Sequence, residues 1–127
     1  MEGIKPAQIL PTLVPIDLII EAVCARTGVR LDQILSRKRD LKTGYARHLS
    51  MYLVTVLNRG SLADLSRYFE RDHSTVISGI RRIELETLTN IQTSEDILYV
   101  GRKFLTSSEF IVALRWFRDH RSYSYYK

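Results

Sequence analysis

Five consecutive residues near the middle of the chain carry side chains suited to chemistry on another molecule. They are Arg71, Asp72, His73, Ser74 and Thr75, at the start of a predicted amphipathic helix. Arginine binds guanine or phosphate, aspartate accepts from the cytosine amine, histidine and hydroxyls contact bases or phosphates, and the threonine methyl meets thymine. In the first turn of a helix, such a set is suited to the major groove of duplex DNA.

The same residues do not indicate catalysis or metal binding. Asp72 and His73 are adjacent, so their side chains point in different directions on a helix, and no nucleophile is apparent. The three histidines are far apart, and none has the paired spacing of a helical metal site. The sequence also lacks a glycine-rich loop that would cradle ATP phosphates. We therefore expect no enzymatic activity, no metal and no cofactor.

The composition is typical of a small folded protein that binds polyanions. The chain has 127 residues, and 19 Lys and Arg against 14 Asp and Glu give a formal charge of +5. This length suits one domain with its own core. Cys24, the only cysteine, excludes a disulfide within the chain and is expected in the core. No stretch reaches the ~20 apolar residues of a membrane span, so we expect a cytoplasmic protein without membrane contact.

The spacing of apolar residues predicts an all-α domain of five or six helices. Residues 15–120 are predicted to form the domain, between an N-terminal arm or linker over 1–14 and a tail over 121–127. The arm is predicted because three prolines fall within the first 15 positions. The apolar stretch 45–57 predicts a buried central helix after an exposed basic loop over 36–44. Beyond it, Ser94 is predicted to cap a helix through about 105, and 108–120 to form another.

A helix-turn-helix is predicted between residues 61 and 83. Ser61 and Asp64 form a capping-box pattern at the start of its first helix, and Gly28 is the expected stop of a helix further upstream. Asp72 can cap the second helix, whose apolar residues recur at helical spacing. Such a pair places its second helix in the major groove.

The sequence resembles the C-terminal DNA-binding domain of DnaA, the bacterial replication initiator. The motif is 71–76 followed by 80–83, supported by 34–39 and by the Ser61 helix start, so the resemblance spans about 16–88. It implies docking in two grooves, with the helix from Asp72 in the major groove and a basic-loop arginine, matched by Arg39, in the adjacent minor groove.

The resemblance extends the candidate DNA-binding set. Arg47 and His48 match family contacts at the start of the central helix, with His48 in place of a more usual glutamine. The full set consists of Arg37, Lys38, Arg39, Lys42, Arg47, His48, Ser61, Arg71, Asp72, His73, Ser74, Thr75, Arg81 and Arg82.

Two departures from the family pattern lie near the recognition motif. Glu70 alone stands where the family usually has two glycines, and Ala63 stands where a proline is common. The shorter turn also resembles DnaA-like domains attached to some transposases, and it predicts a target other than the standard DnaA box. The missing ATPase motif and the extra C-terminal helix favour a free-standing DnaA-domain protein over a cut-out domain.

The expected function is sequence-preferring binding of duplex DNA in replication-origin or mobile-element recognition. A transcriptional regulator stays open, as does a protein-interaction adaptor that uses the same helices and the aromatic C-terminal extension to bind a protein partner. Phe110 and Phe117 are expected in the core rather than in a dimer stripe. The target sequence and the oligomeric state are not determined by these patterns.

Overall fold

A computed structural model describes residues 14–58 and 61–120, whose regular secondary structure is entirely helical. Within these residues the seven helices are α1 (Ile16–Thr27), α2 (Leu31–Ile34), α3 (Leu41–Asn58), α4 (Leu62–Phe69), α5 (His73–Glu86), α6 (Ile91–Gly101) and α7 (Ser107–His120). The all-α prediction is confirmed. The count exceeds five or six once the four-residue α2 is included.

The central helix α3 begins at Leu41, four residues before the predicted start at Tyr45. The Asp40 carboxylate caps it, because its Oδ2 accepts from the backbone N–H and the hydroxyl of Thr43, both at 3.1 Å. The predicted loop over 36–44 therefore ends at Asp40. Lys42 lies in the first turn of α3 rather than in the loop, which corrects its predicted place.

The core is built around α3, which packs against α1, α2, α5, α6 and α7. Leu49, Leu53 and Leu57 on α3 are completely buried. The prediction of a central buried helix is thus confirmed. At Gly79 on α5 the two helices approach so closely that a Cβ atom would lie 2.8 Å from His48 Cδ2 and 2.9 Å from Met51 Sδ.

The first helix, α1, ends where the sequence indicated. Gly28 stops α1 in the left-handed conformation (φ 77°), as predicted. Val14 is buried, and its carbonyl accepts from Asn58 Nδ2 at 2.8 Å, so the last residue of the predicted arm packs on α3. Cys24 is partly buried against the core, and burial raises the pKa of its thiol. The predicted arm over 1–13 and the predicted tail over 121–127 lie outside the described residues.

The C-terminal helices α6 and α7 both pack on α3, and α6 is joined to the domain by a buried carboxylate. Asp96 on α6 accepts from Arg26 Nε at 2.8 Å and from the Tyr45 hydroxyl at 2.6 Å. Phe110 and Phe117 are buried, which confirms their core assignment. Helix α6 begins at Ile91, ahead of the predicted cap at Ser94, because the side chain of Asn90 accepts from the Gln92 backbone N–H and caps the helix there. It ends at Gly101 rather than at about residue 105.

Candidate nucleic-acid interface

The first helix of the helix-turn-helix, α4, begins with the predicted capping box. The Ser61 hydroxyl accepts from the Asp64 backbone N–H at 3.0 Å, and the Asp64 carboxylate accepts from the Ser61 backbone N–H at 3.3 Å. This reciprocal pair satisfies two N–H groups that the helix leaves open. Ser61 itself is exposed.

The turn between α4 and α5 is closed by Glu70 in the left-handed conformation (φ 52°, ψ 47°). The Arg71 N–H donates to the Ser66 carbonyl at 3.0 Å, and the Glu70 N–H donates to the Arg67 carbonyl at 3.3 Å. These two bonds form a Schellman motif, which usually has glycine at the position of Glu70. One glutamate thus performs the chain reversal at which the family pattern has glycines.

The recognition helix α5 presents its first turn to solvent. Asp72 caps it as predicted, because Oδ1 accepts from the Thr75 N–H at 2.8 Å and from the Ser74 hydroxyl at 3.0 Å. Hydrogen bonds from Thr75 and then from Ser74 lower the pKa of Asp72, so its carboxylate is charged at neutral pH. Asp72, His73, Ser74 and Thr75 are all exposed.

The basic loop between α2 and α3 exposes Arg37, Lys38 and Arg39. Lys38 Nζ lies 3.8 Å from Asp40 Oδ1, an exposed ion pair. Within residues 14–58 and 61–120, no hydrogen bond or ion pair engages the Arg39 side chain. Arg39 is therefore the loop cation best placed to bind another molecule.

Arg47, a predicted DNA contact near the start of the central helix, does not lie at the surface. It is 7% exposed. Its Nε donates to the Ile34 carbonyl at 2.6 Å, and its Nη2 contacts the carbonyls of Gln33 at 3.2 Å, Ser36 at 2.9 Å and Lys38 at 3.1 Å. Burial, followed by the charges of Arg71 and Arg37, lowers its pKa. The guanidinium holds the loop from inside.

His48 also lies deeper than expected from its predicted DNA contact. It is partly buried, and its ring lies against Gly79 of the recognition helix. Burial, and then the charges of Arg82 and Arg47, lower its pKa and favour the neutral imidazole. His48 therefore packs against the side of α5 that faces α3.

The basic loop and the recognition turn are joined by two arginines. Arg71 Nη2 donates to the Ser36 carbonyl at 2.5 Å, and its Nη1 donates to the Phe69 carbonyl at 2.7 Å. Arg37 Nη2 donates to the Glu70 carbonyl at 3.2 Å. These bonds bring the loop and the start of α5 onto one face.

The other candidate cations are exposed on two helices. Lys42 lies on α3, and Arg81 and Arg82 lie on α5. Arg82 Nε is 3.8 Å from Glu86 Oε1. No described group of three or more His, Cys, Asp or Glu residues could hold a metal ion, and no described helix has the length and apolar character of a membrane span.

Two features of this region were missed by sequence reasoning. The Ser36 carbonyl is a shared acceptor for Arg47 and Arg71, and backbone groups leave no sequence signal. The second is a groove of about 970 Å³ between the C-terminal half of α5 and helices α6 and α7. Leu85, Leu88 and Ile111 line it and are 56%, 77% and 46% exposed, and these apolar side chains were a readable signal.

Comparison with known proteins places most of the described chain in one family. The profile of the family described as "Bacterial dnaA protein helix-turn-helix" matches residues 16–83, more than half of the chain. Two similar relatives are both named chromosomal replication initiator protein DnaA. The protein from Thermodesulfovibrio yellowstonii is 38% identical over 74 residues, and the protein from Aquifex aeolicus is 42% identical over 69 residues.

These matches cover 58% and 54% of this chain but only 17% of each relative. The chain thus spans about one sixth of the length of the curated relatives that it matches. The matched segment contains the capping box of α4, the Glu70 turn and most of α5. On these grounds the chain belongs to the family of bacterial DnaA helix-turn-helix domains.

Proposed function

We propose that this protein binds duplex DNA with sequence preference, as an element of replication-origin or mobile-element recognition. The observation that carries the proposal is the shared face of the exposed α5 start and the basic loop, joined by Arg71 to Ser36 and by Arg37 to Glu70. The names of the relatives, chromosomal replication initiator proteins, support the replication context. Residues 15–120 act as the DNA-binding domain, with 1–14 as an arm and 121–127 as a tail.

In the major groove, the first turn of α5 contacts base edges. His73 and Thr75 are exposed there, with donor, acceptor and methyl groups available. Asp72 uses Oδ1 for the cap, so a contact to a cytosine amine falls to Oδ2. Ser74 donates its hydroxyl proton to Asp72, which leaves it the role of an acceptor. His73 is therefore proposed as the principal hydrogen-bonding base reader, with Thr75 beside it contributing its hydroxyl and methyl groups.

In the minor groove, Arg39 is the inserted side chain. An A·T-rich minor groove is narrow and strongly negative, which attracts an arginine. Exposed Lys38 and Lys42 flank it in sequence and contact phosphates, as do Arg81 and Arg82 on α5. The protein performs this binding in the cytoplasm, without a cofactor and without a catalytic step.

Selection of sites from a random duplex pool tests this function directly. The expected result is an enriched core next to an A·T-rich flank, with the core altered by His73→Ala. Arg102→Ala is the matched control, since Arg102 is exposed but follows α6, outside the helix-turn-helix. Absence of any enriched sequence would contradict the proposal. If a sequence is enriched, occupancy across the genome separates an origin-binding protein from a transcriptional regulator.

A protein-interaction adaptor is a second candidate, favoured by the groove between α5, α6 and α7. Its apolar lining is bordered by Arg81, Arg115 and Arg118 against Glu84 and Asp119. The matching partner is an amphipathic helix of another protein with acidic residues beside its apolar stripe.

A photo-crosslinker at Leu88 captures the partner that occupies the groove. This partner is then purified, and its binding to the present protein is measured. Leu88→Glu should abolish that binding, while Leu18→Glu, at an exposed leucine on α1, should keep it. Equal binding by both variants would contradict the adaptor role.

A further inference from the structure

Two guanidinium groups from different parts of the fold meet at one backbone oxygen. The Ser36 carbonyl accepts from Arg47 Nη2 at 2.9 Å and from Arg71 Nη2 at 2.5 Å. Arg47 belongs to α3, and Arg71 belongs to the turn that precedes the recognition helix. The backbone of the basic loop is therefore attached both to the core and to the helix-turn-helix.

Arg47 contacts the backbone at the end of α2 and at two positions of the loop. Besides Ser36 it contacts the carbonyls of Gln33, Ile34 and Lys38. Gln33 and Ile34 end α2, a helix of four residues, whose last carbonyls lack partners within the helix. So short a helix is not stable alone, and the planar guanidinium supplies several fixed donors that a lysine ammonium cannot reproduce. Lys38, the last residue held, directly precedes Arg39.

We propose that Arg47 and Arg71 are positioning residues, which fix the offset between Arg39 in the minor groove and α5 in the major groove through the shared Ser36 carbonyl. The inference rests on the proposed two-groove binding. In this role the two arginines do not hold phosphates. They restrict binding to duplexes with one spacing between the A·T-rich flank and the recognised core. A shift of one base pair moves the flank by about 3.4 Å along the helix axis. A loop fixed at Ser36 cannot follow that shift, whereas a released loop can.

The experiment uses two duplexes that differ only in the position of the A·T-rich flank, moved by one base pair relative to the core. Wild-type protein should bind the shifted duplex about tenfold more weakly, the size of one mismatched base pair. Arg47→Lys keeps the charge but loses the planar fork, and it should reduce that difference to less than about threefold. Recognition of the core itself should be retained.

Lys42→Ala is the matched control, because Lys42 is an exposed cation of the same helix. It should weaken both duplexes equally and keep the tenfold difference expected of wild type. If Arg47→Lys behaved in this way, Arg47 would be a phosphate contact and the proposal would be wrong. Should Arg47→Lys fail to fold, Arg71→Lys removes the other half of the shared contact, and it should give the same loss of spacing preference.

Amide hydrogen exchange on the free protein separates this inference from the proposed function. The Ser36 N–H donates to the Gln33 carbonyl at 3.1 Å, and the Lys38 N–H donates to the Ser36 hydroxyl at 3.1 Å. Both amides should exchange at least about tenfold faster in Arg47→Lys, while the Leu53 amide in the middle of α3 keeps its rate. Unchanged exchange at Ser36 and Lys38 would overturn the positioning role. If wild type bound no duplex, the proposed function would fail, and this measurement alone would decide whether Arg47 holds the loop.

Discussion

The Tyr45 hydroxyl donates a hydrogen bond of 2.6 Å to Asp96 Oδ2. Tyr45 belongs to α3 and Asp96 to α6, so the bond joins the C-terminal extension to the central helix. Asp96 Oδ1 accepts two further bonds, from Arg26 Nε at 2.8 Å and from Gln92 Nε2 at 2.9 Å. Since the Asp96 side chain is only 8% exposed, these bonds satisfy a carboxylate inside the protein.

Asp96→Asn should destabilise the fold and remove part of its acid sensitivity. Burial by itself raises the pKa of Asp96, but hydrogen bonds from Tyr45, Arg26 and Gln92 outweigh it and lower the pKa below the ordinary 3.8. A lowered folded-state pKa gives stability that is present above the ordinary pKa and lost as pH falls through the folded value. We expect a loss of about 2 kcal/mol at pH 7, measured by urea unfolding.

The control is a second variant, Asp119→Asn, unfolded in the same way at pH 7 and at pH 3. Asp119→Asn changes an exposed carboxylate on α7 and should alter stability by less than about 0.5 kcal/mol. A pH dependence as steep in Asp96→Asn as in wild type would show that Asp96 does not carry this part of the acid sensitivity.

Glu70→Gly should stabilise the protein, although it removes a side chain. Glu70 has φ 52°, the only positive φ of a non-glycine among the described residues. Glycine avoids the steric cost of that conformation, and the expected net gain is about 0.5–1 kcal/mol by thermal unfolding. Glu95→Gly, at an exposed position within α6, should cost about 1 kcal/mol instead. A loss of stability in both variants would contradict the role of the Glu70 φ angle.

Two glycine-to-alanine substitutions should have opposite effects. At Gly79 a Cβ atom would lie 2.8 Å from His48 Cδ2, so Gly79→Ala should push α5 from α3, cost about 1–3 kcal/mol and weaken DNA binding. At Gly44 in α3 a Cβ meets nothing within 4 Å, so Gly44→Ala should add about 0.5–1 kcal/mol. Chemical unfolding measures both. Stabilisation by Gly79→Ala would mean that the α3–α5 contact is looser than described.

Local signals made much of the fold predictable. Gly28, the Ser61 capping box and Asp72 act within their own helix ends, so their roles follow from neighbouring residues. The start of α3 was missed because its first turn is polar and contains Gly44, which hid the cap at Asp40. The start of α6 was missed because Asn90 and Ser94 are both suitable caps, and only the structure distinguishes them.

The site could be predicted less fully, because tertiary contacts decide which cations face solvent. Arg47 has the sequence appearance of a surface arginine, yet it contacts carbonyls 9 to 14 positions upstream. Asp96 likewise finds Tyr45 and Arg26 at separations of 51 and 70 residues. Sequence reasoning located the exposed loop and the recognition turn, but it had no means of separating binding residues from the arginines that hold them.

The salt dependence of binding should report the exposed cations. Each phosphate contact adds about −0.9 to the slope of log K against log salt, so the four proposed phosphate contacts Lys38, Lys42, Arg81 and Arg82 predict a slope of about −3.6. Lys42→Ala should make the slope less steep by about 0.9, while Arg102→Ala leaves it unchanged. Fluorescence anisotropy over a salt series measures this. An unchanged slope in Lys42→Ala would exclude Lys42 from the phosphate contacts.

The two-groove account is tested most directly by the affinity of Arg39→Ala for one core placed between A·T-rich or G·C-rich flanks. The narrow A·T-rich minor groove favours an inserted arginine, so the substitution should cost about tenfold with A·T flanks and less than about threefold with G·C flanks. The core preference set by His73 should remain. Equal losses with both flanks would reduce Arg39 to a phosphate contact. No loss with either flank would contradict minor-groove insertion and show that the Glu70 turn directs the domain differently onto DNA.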